Sequence, residues 1–244
     1  MRFRRLALAA LIAASTASDA APATEDLYSA TVIVTGRDNL SERERGIAEA
    51  VAAVLVRVSA DPEVGRRFEA RASRPDAADF VVDLDYVDRK EGIQISDEQG
   101  ARDRSFELTV AFEPKAIDAL LADLNAAPWP APRSVLPVDL TVRTQAKSYR
   151  LTVAGDDGYA QRLSLLDAAD DLGLAVELPS DDVAAGGPAS LTGEMRITED
   201  GLWDSDWSVR SGSATSVHAV RAKSFDATFE DALAFAASVL KRSR

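Results

Sequence analysis

Residues 106–124 read FELTVAFEPKAIDALLADL, and the hydrophobic period changes once inside them. Phe106, Leu108, Val110 and Phe112 alternate with Glu107 and Thr109, the two-residue period of a strand with one wet face. Pro114 then supplies a fixed φ suited to the first turn of a helix. Ile117, Leu120, Leu121 and Leu124 follow at three- and four-residue spacing, the inner side of that helix. A strand that hands over directly to a helix is the repeating step of a mixed α+β fold, and it recurs on both sides of this segment.

Toward the N-terminus, Phe80, Val82, Leu84 and Tyr86 alternate with Asp83 and Asp85 and predict the partner strand. Lys90 to Asp103, mostly polar with Gly92 and Gly100, is the long hairpin loop between the two. Tyr28 to Val34 is a β-branched strand ended by Gly36, Arg37, Asp38 and Asn39. Ser41 followed by Glu44 is a capping box, which places a helix start at Ser41. Ile47, Ala50, Val51, Val54, Leu55 and Val58 carry the buried side of that helix to Ser59, and Pro62 to Ala72 makes a second, shorter one.

Toward the C-terminus, Pro128, Pro130 and Pro132 prevent a helix or a central strand, so Ala126 to Pro132 is the predicted boundary between two units. Trp129 lies inside it, packed against a neighbouring unit. Beyond it, Leu136, Val138, Leu140 and Val142, then Tyr149, Leu151 and Val153, form a hairpin around Gln145 and Ala146. A helix runs from Gly158 to Leu172 with Gly173 as a left-handed cap, and Leu174, Val176 and Leu178 form a strand. After a loop from Ser180 to Ala189, the strand through Leu191, Met195 and Ile197 turns at Glu199, Asp200 and Gly201 and returns from Leu202 to Arg210. A strand over Ser216 to Ala222 and a helix from Asp226 to Arg242, with Phe229, Leu233, Ala236 and Leu240 inward, complete the pattern. The expected fold is α+β: two small units, 24–127 and 134–244, joined by a Pro-rich junction at 128–133. Each unit is a mainly antiparallel sheet with helices packed on one face.

The first twenty residues have the layout of a cleavable export signal: Arg2, Arg4 and Arg5, the apolar run Leu6 to Ala14, then small residues from Ser15 to Ala21. The apolar run is too short to cross a hydrocarbon core of roughly 30 Å. The expectation is a periplasmic or secreted protein, cut after Ala20 or Ala17, with no stable membrane insertion afterwards. Residues 1–20 hold three arginines and one aspartate, so their removal leaves 25 basic against 39 acidic side chains and a net charge of −14. Such a surface repels phosphate backbones and argues against nucleic-acid binding. With no cysteine in the chain, the fold rests on its hydrophobic core without disulfides.

The order of these segments resembles an exported Gram-negative family catalogued as domain of unknown function DUF2066. The resemblance is carried by Leu27-Tyr28, Arg45, the run Val54-Leu55-Val56-Arg57-Val58-Ser59, Leu108 to Phe112 before Pro114, Leu120-Leu121 and Pro128-Trp129. It continues through Gly173-Leu174 to Leu178-Pro179, and from Leu191-Thr192-Gly193 to Gly201-Leu202-Trp203 and Trp207. It implies the fold order and the exported location, and transfers no catalytic residue.

Candidate chemistry is sparse. His218 is the one imidazole, on a strand beside Val217 and Val220, and no Gly-x-Ser-x-Gly elbow or thiol accompanies it; it reads as a satisfied structural or surface histidine. A zinc site would need mostly carboxylates, and no phosphate-cradling glycine loop occurs, so neither a metal nor a cofactor is expected. Asp83 with Asp85, and Asp204 with Asp206, share strand faces at a spacing that marks solvated surface. Asn39-Leu40-Ser41 matches a glycosylation acceptor, its serine explained as the helix cap. Trp203, Trp207 and Trp129 are the candidate binding residues. Trp203 and Trp207 point to one side of a strand with Ser205 between them: either a core-facing pair beneath the last helix, whose stripe Val209 continues, or an indole surface for a sugar ring or partner chain. The functional expectation is a non-catalytic envelope protein that binds another protein or assists assembly. The alternative is a carbohydrate-active enzyme or cell-wall glycan binder using carboxylates and exposed tryptophans.

Overall fold

The computed structural model describes residues 27–71, 77–92, 104–130, 133–180 and 187–243. The leader, most of the Lys90 to Asp103 loop, Pro132 and the middle of the Ser180 to Ala189 loop lie outside the described residues. Among those described, five α-helices and two antiparallel-rich sheets, of three and six strands, make a mixed α+β fold.

The first sheet has the order β1 (Ser29–Thr35), β3 (Ser105–Phe112), β2 (Val81–Asp88), both pairings antiparallel. Its inner residues Ala30, Val32, Val34, Leu108, Val110 and Phe112 are buried beneath α1 (Leu40–Ser59), α2 (Pro62–Glu69) and α3 (Pro114–Asp123). Every apolar position predicted for the inner side of α1 is buried. The cap differs from the prediction. Asn39, not Ser41, is the N-cap: its Oδ1 accepts from the Glu42 amide at 3.3 Å, while the Ser41 hydroxyl donates to that same oxygen. Glu42 is thereby free to reach back and accept from the Thr35 amide at 3.1 Å. Arg45 and that amide hold the Glu42 carboxyl below its ordinary pKa.

The same helix also guards the outer edge of β1. Arg45 donates to the Ile33 carbonyl at 2.7 Å and Arg57 to the Ser29 carbonyl at 2.9 Å, so backbone groups that would otherwise template another strand are occupied. On β2 the expected alternation is interrupted. The register slips between Val81 and Asp83, and this bulge turns Val82 outward instead of into the core with Leu84 and Tyr86.

The second sheet runs β5 (Ser148–Arg150), β4 (Leu136–Arg143), β7 (Ala189–Ile197), β8 (Trp203–Ser211), β9 (Ala214–Ala222), with the two-residue β6 (Val176–Glu177) also on β4. Three of its pairings are antiparallel; β4 pairs in parallel with β6 and β7. One face is buried under α4 (Tyr159–Asp171) and α5 (Phe225–Arg242). The other is open and laced by ion pairs: Arg150 with Asp139, Arg143 with Glu194, and Asp204 between Arg196 and Arg221. Asp83 and Asp85 on the first sheet are likewise exposed.

Arginine and lysine side chains fasten the two halves at the C-terminal end of α1. Arg133 donates to the carbonyls of Val58 (2.8 Å), Trp129 (2.9 Å), Leu172 (2.7 Å) and Gly173 (2.9 Å), so one guanidinium receives the ends of both α1 and α4. Cations are favoured there because the last carbonyls of a helix lack amide partners and carry its negative dipole end. Lys241 of α5 reaches the Ser59 carbonyl at 2.7 Å, and Arg57 reaches Asp170 at 2.9 Å. Burial there pushes the Lys241 ammonium below its ordinary pKa. Gly173 sits in this crossing with φ +59, and a Cβ would stand 2.6 Å from the Arg133 guanidinium. Trp129 is buried beneath that guanidinium, 4.9 Å from ring centre to Arg133 Cζ, and its amide donates to Val58.

Candidate functional site

The three candidate tryptophans are all buried. Trp207 is 2% exposed, Trp129 6% and Trp203 8%. Trp203 meets Phe225 edge-on at 5.9 Å and Trp207 meets Phe229 at 6.2 Å, so α5 lies across the pair. The Trp207 indole N–H donates to the buried Ser205 hydroxyl at 2.8 Å, and Val209 continues the buried stripe. They form a core, and no indole face among them is available to a sugar ring. Room for Trp207 comes from its cross-strand partner Gly193, where a Cβ would stand 2.4 Å from the ring.

What the fold opens to solvent is a cleft of about 1140 Å³ where α1 and α2 of the first half face α4 and α5 of the second. Its floor is made of small and apolar groups: Ala52, Ala53 and Val56 on α1, Gly65 on α2, Ala168 on α4, and Ala234 with Phe235 on α5. Small side chains on facing helices let a bound chain approach the backbone closely. The rim carries both charges, with Glu49, Glu63, Glu69 and Glu230 against Arg57, Arg66, Lys241 and Arg242. A concave apolar floor with a charged rim is the arrangement by which helical surfaces accept another chain.

His218 also lines this cleft. Its ring stacks on Phe235 at 4.7 Å and its Nε2 lies 2.5 Å from Asp231, which ties β9 to α5. Ser238 lines the cleft too, but its hydroxyl donates to the Phe235 carbonyl of its own helix at 2.7 Å. The trio therefore lacks the nucleophile-to-base hydrogen bond on which a triad works. Among the described residues no cluster of three or more His, Asp or Glu is arranged to hold a metal ion.

Asp171, at the cleft's edge on α4, has its pKa raised, first by burial and then by Asp170 and Asp167, with Arg57 opposing. The folded state then holds the proton more tightly than the unfolded chain, so the charged form destabilises the fold at neutral pH and the loss is relieved as pH falls through the raised value. Asp171→Asn is expected to raise the thermal midpoint modestly at neutral pH and to flatten its dependence in the mildly acidic range. An unchanged or lowered midpoint at neutral pH would contradict this.

Residues 21–130 match the model of a family described as Domain of unknown function (DUF8605). This corrects the expected likeness to DUF2066: the matching family is a different one of unknown function, and it covers the first sheet, its three helices and the chain up to Pro130. No curated protein matches the chain. The cleft itself is missed by sequence reasoning. Its only trace is a second stripe of small residues, Ala52 and Ala53 on α1 and Ala227 and Ala234 on α5, outside the strongly apolar faces.

Proposed function

We propose that the protein is an exported, non-catalytic binding accessory of the cell envelope, which holds a partner polypeptide in the cleft between the helices of its two halves. The carrying observation is that cleft: large, floored by small apolar groups, and rimmed by both charges. The cationic start and short apolar run of residues 2–14 support export to the periplasm. Among the described residues no helix is long and apolar enough to cross a membrane. The glycan-binding alternative draws no support from the tryptophans, since all three are core side chains.

A photo-cross-linking amino acid placed in the cleft at Ala53 or Ala234, with Thr192 on the open sheet face as control, tests the reading in intact cells. The expected result is a discrete adduct of the periplasmic protein from both cleft positions and none from Thr192, on a product whose N-terminus begins near Ala21. Equal adducts from the control position, or a cytosolic product retaining Met1, would overturn it.

A further inference from the structure

Next to the cleft, and sharing Ala168, Asp171 and Glu230 with it, a furrow of about 440 Å³ runs between α4 and α5. Two features of this furrow are unlike the cleft. Its charged lining is wholly anionic, with Asp167, Asp171, Asp226 and Glu230 and no lysine or arginine. It is also bordered by an exposed apolar stripe: Tyr159, Leu163 and Leu166 are 64%, 43% and 41% exposed and recur at the i, i+4, i+7 spacing of one helix face. The opposite side of α4, with Leu165, Ala168 and Ala169, is the side buried in the core, so this second stripe stands outside that core.

We propose that the α4/α5 furrow docks an amphipathic helix of a partner polypeptide, whose apolar face covers Tyr159, Leu163 and Leu166 and whose lysines or arginines meet the four carboxylates. The inference rests on the partner-binding reading and specifies the chemistry of the partner. A helix suits the stripe because two facing helices exchange anchors at the same three- and four-residue spacing. Charge complementarity selects a cationic one: a guest of like charge would be repelled by the furrow's four carboxylates, and the chain's net charge of −12 acts in the same sense. Burial is the first cause of the raised pKa of Asp171; Asp170 and Asp167 add to it against Arg57, and an incoming cation would relieve that carboxylate repulsion. Anionic lipid is disfavoured by the same field.

The test uses the full exported chain and a fluorescently labelled synthetic helix of leucine and lysine, with three comparison probes: a scrambled peptide of the same composition, the same helix with glutamate for lysine, and pentalysine. The expected result is saturable one-to-one binding of the leucine–lysine helix alone, weakened at least tenfold by Leu163→Glu and by the double change Asp167→Lys with Glu230→Lys. Thr192→Lys on the open face is expected to leave it unchanged, and thermal melts confirm that each variant is folded. Equal binding of the scrambled peptide or pentalysine would reduce the effect to bulk charge and overturn the proposal, as would binding indifferent to the furrow variants. Binding to anionic vesicles at comparable strength would overturn it in favour of a lipid surface. Cross-links from Ala53 and Ala234 without cationic-helix binding would defeat the furrow while leaving the cleft reading intact; absence of cross-links would defeat the cleft reading itself.

Discussion

Trp207→Ala is expected to cost about 3–5 kcal/mol of unfolding free energy, the range for emptying a buried aromatic site. The indole is enclosed by Phe229 above and Gly193 across the strand, and its N–H is satisfied by Ser205, so neither collapse nor water readily fills the space it leaves. Gly193→Ala attacks the same contact from the other side. Its new methyl carbon would lie 2.4 Å from the ring, against backbone that strand pairing holds in place, and the expected loss is about 2–3 kcal/mol. The two changes should not add. With Trp207 replaced by leucine the glycine no longer faces a ring, and Gly193→Ala should then cost under about 1 kcal/mol. Urea unfolding followed by far-ultraviolet circular dichroism measures the cycle of parent, Gly193→Ala, Trp207→Leu and the double variant, and an additive result would show that Gly193 is not there to seat Trp207.

Arg133→Ala is expected to cost about 3 kcal/mol, because hydrogen bonds to a charged donor are worth roughly 1.5–3 kcal/mol each and several are lost together without adding fully. The carbonyls of Leu172 and Gly173 would lose the donor that closes the end of α4, while the Val58 carbonyl at the end of α1 would keep only the Trp129 amide. Arg133→Lys should recover less than half. A single ammonium on a flexible stem cannot span four carbonyls that a planar guanidinium reaches at once. Because Trp129 lies directly under the guanidinium, its fluorescence should report the loosening before the global transition. A variant within about 1 kcal/mol of the parent, with unchanged fluorescence, would mean that the clamp contributes little.

Where the two periods are clean, the chain's own pattern is sufficient. The alternation of Leu108, Val110 and Phe112 and the three–four spacing of Ile47, Val51, Val54 and Val58 each name an element and its buried side correctly, because a single burial direction is written into the repeat. Local competition is harder to read. Asn39 and Ser41 both carry a capping oxygen, and which one faces the free amides depends on where the backbone turns after Gly36. The bulge at Val81 and Asp83 is likewise silent in an alternating string, since one extra residue in a strand leaves its composition unchanged.

The residues alone determined the class of fold, the succession of strands and helices, and the acidic balance of the surface, all of which follow from local periodicity and composition. Tertiary structure decided which side chains became surface and which became core. It buried Trp203 and Trp207, which a strand pattern could equally have displayed, joined α1 to α4 through the Arg133 and Arg57 guanidiniums, and brought helices distant in sequence together around a cleft. The physical reason is that periodicity fixes the direction in which a side chain points from its own element, whereas exposure depends on what the rest of the chain lays against that side.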